Sequence, residues 1–198
     1  CVKKYRKQLE CYAQLDPGFL TSMVPIQAQA DAPHIVRKMC EAASKAGVGP
    51  MASVAGAISE LVGKDLLKLS DVVVVDNGGD IFIKACVNRK VGIYAGQSPL
   101  SEKIAVEVTP EMTPLGICTS AGTIGHSLSL GEADAVIIMS RNTFLADAVA
   151  TAAGNMVNIP DDIEKSLEFA LSIEGITGAL VIVGEKIGVR GEIRLVGL

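Results

Sequence analysis

Asp71-Val72-Val73-Val74-Val75-Asp76-Asn77-Gly78-Gly79-Asp80-Ile81-Phe82-Ile83 is the stretch on which the fold turns. A continuous apolar run ends in Asp-Asn-Gly-Gly, and a second strand-like run, 81–87, follows at once. Asn-Gly readily takes the left-handed backbone that short hairpin turns require, so the two runs predict antiparallel strands joined by a tight turn. The unbroken valines predict a first strand covered on both faces.

Outward from this hairpin, helical signals dominate the N-terminal side. Residues 2–15 read as a helix that ends at Asp16-Pro17-Gly18, and Pro17 opens a short helical turn with Asp16 as its cap. Pro25 and the Gln/Ala stretch after it form a connector. From Pro33, Ile35, Val36, Met39, Cys40, Ala43 and Ala46 recur at helical spacing, and Gly47 stands where that helix should stop. A further helix over about 51–62 has Met51, Val54, Ile58 and Leu61 on one side, while Ala52, Ser53, Gly56 and Ala57 leave it smooth elsewhere. Such a surface predicts close approach of a strand, another helix or a ligand.

On the C-terminal side, strands are predicted over 91–94, 104–108, 115–119 and 133–140. A helix bearing Asp147 and Thr151 follows, then one from Pro160 to about Ile173, and the tail at 179–183, 188–190 and 193–196 reads as a β-meander. Helices, strands, helix and strands in that order are not a steady β-α-β alternation. The fold class is therefore α+β, with antiparallel or mixed sheets packed by helices. The 198 residues suit one domain over 1–198, with a helical N-terminal segment (1–47), a core (48–156) and a closing helix plus meander (157–198). The chain opens at Cys1 inside a charged helical pattern, which leaves room for a preceding segment.

Composition excludes several classes. Hydrophobic residues make up 49%, too many for a disordered chain. Aromatics are 4% and Trp is absent, so the core must be aliphatic and stacking platforms for single-stranded nucleic acid are lacking. A net charge of −4 gives no footprint for duplex DNA, and Lys3, Lys4, Arg6 and Lys7 read as a solvated helix face. Five scattered cysteines without a CxxC pair read as reduced thiols of a cytoplasmic protein. Cys118 has no obvious base to make it a nucleophile. No apolar run has the length of a membrane span.

Three segments carry candidate chemistry. On a helix, Asp147 and Thr151 stand four residues apart on one face, where a carboxylate and a hydroxyl can hold a hard cation. Equally, Asp147 could complement the dipole of a first helical turn and Thr151 could bond back to a carbonyl one turn earlier. Asn77, Gly78, Gly79 and Asp80 offer bare backbone beside a carboxylate, or serve only as a hairpin turn. Thr119, Ser120, Gly122 and Thr123 form a hydroxyl- and glycine-rich loop of the kind that binds phosphate, or satisfy their own backbone. His126 in that loop could accept a proton, as an imidazole can; His34, beside a helix-starting Pro, reads as structural. The chain has no Walker lysine motif and no GxGxxG. The kit suits a nucleotide diphosphate carrying a metal.

Asn77-Gly78-Gly79-Asp80-Ile81, Thr119-Ser120-Ala121-Gly122, His126 and Ala146-Asp147-Ala148-Val149-Ala150-Thr151-Ala152 follow the order of motifs in the ApbE-like flavin transferases, and the chain resembles that superfamily over roughly residues 48–156. Within it, the chain is most similar to a short, uncharacterised branch, whose Asp-Pro-x-Phe-Leu-Thr-Ser and Gly-Pro-Met-Ala-x-Val-Ala-Gly-Ala signatures match 16–22 and 49–57. The resemblance implies binding of FAD and Mg²⁺, with transfer of FMN to a Thr or Ser of an acceptor protein and release of AMP, or hydrolysis of FAD to FMN and AMP. It also implies that Asp147 and Thr151 are metal ligands, that Asp80 lies by the cofactor behind Gly78 and Gly79, and that His126 lies near the reacting phosphate. The family's Lys-Gly pair is here Ala55-Gly56, and its segment between loop and His is shortened. The alternative is a non-catalytic nucleotide-binding or assembly protein on the same fold. A homodimer is expected, since closed symmetric pairs are the commonest oligomers.

Overall fold

Tyr5, Leu9, Tyr12 and Ala13 recur at three- and four-residue intervals and form the buried stripe of α1 (Val2–Leu15) in the computed structural model, which describes residues 1–122 and 131–198. Lys3, Lys4, Arg6 and Lys7 lie on its solvated side. A short α2 (Gly18–Thr21) follows, with no side-chain cap. The expected cap, Asp16, instead accepts a hydrogen bond from the Tyr12 hydroxyl one turn earlier (3.4 Å), which fixes the end of α1. Helix α3 (His34–Ala46) buries Ile35, Val36, Met39 and Ala43, as their spacing predicts. A 3-10 turn at Pro50–Ser53 leads into α4 (Val54–Leu66), which runs further than expected. Later come α5 (Thr143–Gly154), capped by the Asn142 side chain on the Leu145 amide, and α6 (Ile163–Ser172).

The strands are β1 (Val73–Asn77), β2 (Asp80–Lys84), β3 (Arg89–Gly92), β4 (Ile104–Val108), β5 (Leu115–Ser120), β6 (Ala135–Ser140), β7 (Ile176–Val183), β8 (Lys186–Gly191) and β9 (Leu195–Gly197). Six of them form one sheet in the order β1-β2-β5-β6-β7-β8, and β3-β4-β9 form a second; every pairing is antiparallel. The large sheet is buried on both faces at its centre. Alternation along β5 and β6 sends Cys118, Val136 and Ile138 to the helices, and Ile117, Ile137 and Met139 to the small sheet. The α+β reading from the sequence holds.

Two expectations are corrected. The valine run is not covered on both faces: β1 is an edge strand, with Val73 buried but Val72 and Val74 exposed. Its packing partners are β2 and α4, so one face is left to solvent. The tail is not a simple meander either. β7 and β8 form the expected hairpin, but β9 leaves to pair with β4. Ile193 and Leu195 are drawn into the apolar layer between the sheets, with Ile193 lying over the bare Gly178. Among the described residues no single helix is long and apolar enough to cross a membrane.

Candidate functional site

The smooth face of α4 lies against α5. A Cβ added to Gly56 would sit 2.5 Å from the Thr143 carbonyl oxygen and 2.8 Å from the Asp147 Cβ, so the contact requires glycine. There the Gly56 amide donates a 2.8 Å hydrogen bond to Asp147 Oδ2, and the Ala55 amide also stabilises that carboxylate. Both amides belong to the first turn of α4, whose N–H groups have no partner within the helix. One turn on, Glu60 accepts from the Thr143 amide at the start of α5 (2.5 Å) and from the Lys64 ammonium (2.6 Å). Each helix thus caps the other with a buried carboxylate.

The β1–β2 turn docks onto the same end of α4. Gly78 and Gly79 adopt φ of +70° and +100°, values that favour glycine, and close the hairpin between Asn77 and Asp80. The Asn77 amide donates to the Ala55 carbonyl (3.2 Å), and the Ser59 hydroxyl donates to the Asp80 carbonyl (2.7 Å). The Gly79 N–H is held by Asp76 Oδ1 (2.9 Å). Opposite the turn stands the end of β5: a Cβ on Gly79 would lie 3.5 Å from Thr119 Cβ.

Two desolvated carboxyl groups occupy the centre. Asp80 is 7% exposed and Asp147 8%. Burial pushes the Asp80 carboxyl up to about 7, opposed by the Cys118 thiol and the Thr119 N–H and aided by the charge of Asp76. Burial likewise pushes Asp147 well above the carboxylate range, and Asp80 adds to it, against the Gly56 and Ala55 amides. Among the described residues, Asp80 Oδ1 is buried with no hydrogen-bond partner. Like carboxylates in such a setting hold a proton or gather a cation. Among the described residues no three His, Cys, Asp or Glu side chains make a metal-holding group, so a cation here would need hydroxyl, carbonyl, water or ligand oxygens as well. Cys118 is wholly buried, its thiol pushed up by burial and by Asp80 and Asp147, which excludes an activated thiolate.

The structure therefore brings Asn77, Gly78, Gly79, Asp80, Thr119 and Asp147 together. Asp147 is the fifth residue of α5, beyond its first turn, and the half-exposed Thr151 lies one turn further on. Ser120 packs toward the far end of α5, its Oγ 3.1 Å from where a Cβ on Gly154 would be. The Gly122 N–H is engaged by the Ala133 carbonyl (2.8 Å). Thr123 and His126 lie outside the described residues. Sequence reasoning missed Ser59, Glu60 and the paired amides of Ala55 and Gly56. The signal available was a buried-type Glu four residues after a helical Gly on a face otherwise free of bulk.

Beside this site, a groove of about 660 Å³ opens between α1, α2 and the start of α4, with Ala55 and Asn77 in its lining.

A family model described as "AbpE bacteria" matches residues 1–194. A UPF0280 protein of Methanococcus aeolicus is 44% identical over 197 residues, covering 97% of this chain and 79% of that protein. One from Methanosarcina acetivorans is 42% identical over 194 residues, covering 97% and 76%. Among solved structures, the apo flavinyl transferase ApbE of Pseudomonas stutzeri superposes with a TM-score of 0.51 at 20% identity, over 73% of this chain and 48% of that one. The flavin transferase ApbE of Vibrio cholerae gives 0.51 at 18% identity, over 74% and 50%. The likeness to these two is one of fold, and the chain spans about half their length.

Proposed function

The chain belongs to the AbpE bacterial family, and from that membership we propose that it binds a flavin nucleotide together with a divalent cation at the meeting point of α4, the β1–β2 turn, β5 and α5. The observation that carries this reading is the pair of buried carboxyl groups, Asp80 and Asp147, one with an oxygen that no described residue satisfies. That donor set suits a hard cation. Asp147, with Thr151 one turn along the helix, would hold Mg²⁺, and Asp80 would lie beside it. A bound Mg²⁺ would supply charge neutralisation on the diphosphate oxygens.

The remaining work falls to the chain's own groups. The backbone at Gly78 and Gly79 lets a phosphate approach without a side chain in the way, and the hydroxyls of Thr119, Ser120 and Thr123 can donate to its oxygens. Gly122 keeps that loop free of bulk. His126 is the group to take a proton from an attacking hydroxyl or water. Attack by a Thr or Ser of an acceptor protein on the FMN phosphorus of FAD would leave FMN esterified and release AMP; attack by water would give FMN and AMP. Phosphoryl transfer depends mainly on alignment and charge stabilisation, which this set provides. The free cysteines, Cys1, Cys11, Cys40, Cys86 and Cys118, support a reducing, cytoplasmic setting.

A second reading is favoured by Ala55. It stands where the resembling transferases carry lysine, so a cation at the phosphates is lost and the chain would hold the nucleotide without transferring it. Melting curves with FAD, with and without Mg²⁺, and chromatography for AMP separate the two. Mg²⁺-dependent stabilisation by FAD with AMP release, both lost in Asp147→Ala, fits the enzyme. Stabilisation without AMP fits the binding module. No response to FAD, FMN or ADP sinks both.

A further inference from the structure

Asn77 stands at the tip of the β1–β2 hairpin, exposed and directly followed by Gly78. The other asparagines, Asn88, Asn142, Asn155 and Asn158, are followed by Arg, Thr, Met and Ile. The Gly78 nitrogen is unencumbered in two ways. Its N–H has no acceptor among the described residues, because Asp76 takes the Gly79 N–H instead and the ladder closes through Asn77 and Asp80. A Cβ added to Gly78 would meet nothing within 4 Å. Among the described residues, the Asn77 side chain is held only by the exposed 3.2 Å hydrogen bond that its amide donates to the Ala55 carbonyl.

We infer that Asn77-Gly78 is a site of spontaneous covalent modification, at which the chain rewrites the hairpin tip beside its buried carboxyl groups. A solvent base removes the Gly78 N–H proton, and the nitrogen attacks Asn77 Cγ. The N–Cγ bond forms, the Cγ–Nδ2 bond breaks, and ammonia leaves with a proton from water. Water then opens the cyclic imide. Attack at Cγ breaks the new bond and gives aspartate. Attack at the main-chain carbonyl carbon breaks the original peptide link and gives isoaspartate, joined to Gly78 through its side chain. A missing side chain on residue 78 matters because the ring closes over that position. Both products carry a carboxylate where the amide was, so the donor to Ala55 is lost and a negative charge joins Asp76 and Asp80. Isoaspartate also adds one backbone atom ahead of the turn. Turn length sets hairpin register, so that product breaks the Asn77–Asp80 pair and loosens the strand end that carries Asp80. The inference stands on these residues and does not need a flavin site.

The test holds the full chain in mildly alkaline buffer and follows the fragment bearing Asn77 by mass spectrometry, with fragmentation that tells aspartate from isoaspartate. Asn77 should exchange its amino group for hydroxyl at least about tenfold faster than the other asparagines, a barrier lower by about 1.4 kcal/mol. Isoaspartate should be the main product, and the rate should fall in mildly acidic buffer. The native chain should convert within about tenfold of the rate in the urea-unfolded chain, since the fold leaves the attacking nitrogen free. The isoaspartate form, separated by anion exchange, should unfold at a lower urea midpoint than Asn77→Asp, which gains the charge without the extra backbone atom. Asn77→Gln should stay unmodified at that position. If Asn77 stays intact in the native chain while the unfolded chain converts, the fold protects the pair and the inference is overturned. Conversion to aspartate with no isoaspartate overturns the ring path. An isoaspartate form as stable as Asn77→Asp overturns the link to hairpin register.

Discussion

The Gly56 amide and the Asp147 carboxylate, 91 residues apart in sequence, are joined by a 2.8 Å hydrogen bond at the closest point of two helices. The amide lies in the first turn of α4, where the helix dipole is positive and the N–H groups need outside acceptors. Asp147 is thus held in place by a helix end and by the absence of a side chain on residue 56. Under the proposed function, structural and chemical roles coincide at this contact.

Gly56→Ala should test that coincidence. The new Cβ would meet a backbone carbonyl at 2.5 Å, which cannot rotate away. Overpacking of this kind costs about 1–3 kcal/mol, and here the helices must separate. Urea unfolding should show a lower midpoint with an unchanged slope. A wild-type midpoint would mean that α4 and α5 are not in this contact.

Glu60 caps α5 from the opposite side. Glu60→Ala leaves the buried Thr143 N–H without an acceptor and should destabilise the chain by about 1–3 kcal/mol. Glu60→Gln keeps a carbonyl oxygen for that amide and should recover most of the loss. Lys64→Ala, at a lysine with 59% of its side chain exposed, should cost about 1 kcal/mol or less. If chemical denaturation ranks Lys64→Ala as the worst of the three, the capping role assigned to Glu60 is wrong.

Much of this arrangement is legible in the sequence, and the part that is not has a common cause. Apolar spacing located α3, and Asn77-Gly78 located the hairpin, because both signals are local. The bareness of α4 at Gly56 foretold a close neighbour without saying which. The edge position of β1 and the departure of β9 to β4 depend on which surfaces remain uncovered after the whole chain has folded. Nothing in Val72-Val73-Val74-Val75 records that. The proximity of Asp80 and Asp147 is likewise a tertiary fact. Their motifs were visible, but the burial that pushes both carboxyl groups up arises from α4 lying against both the turn and α5.

Asp147→Asn should separate stability from ligand binding. The amide oxygen can still accept from Gly56, while a carboxyl whose ionisation burial opposes is replaced by a neutral group. In EDTA at pH 8 the variant should be more stable than the native chain, by on the order of 1 kcal/mol. Mg²⁺ should raise the melting temperature of the native chain and leave the variant where it was, since only binding to the folded state shifts the equilibrium. A variant that still gains from Mg²⁺ would place the cation elsewhere.

Asp80 makes the metal-free protein sensitive to pH. Its carboxyl ionises near 7 when folded, against 3.8 for the free group. Between these values the folded chain keeps a proton that the unfolded chain has lost, so stability falls as pH rises. The contribution is fully present below about pH 4 and is gone once the pH has passed the folded value near 7. Asp147, shifted in the same direction, extends the decline. Urea midpoints measured in EDTA from pH 5 to 8 should therefore drop steadily. Asp80→Asn should flatten that slope and raise the midpoint at pH 8, where the native chain carries the buried charge and the variant does not. If Asp80→Asn keeps the native slope, the titrating group is not this carboxyl, and the unsatisfied Oδ1 loses its claim to mark a cation seat.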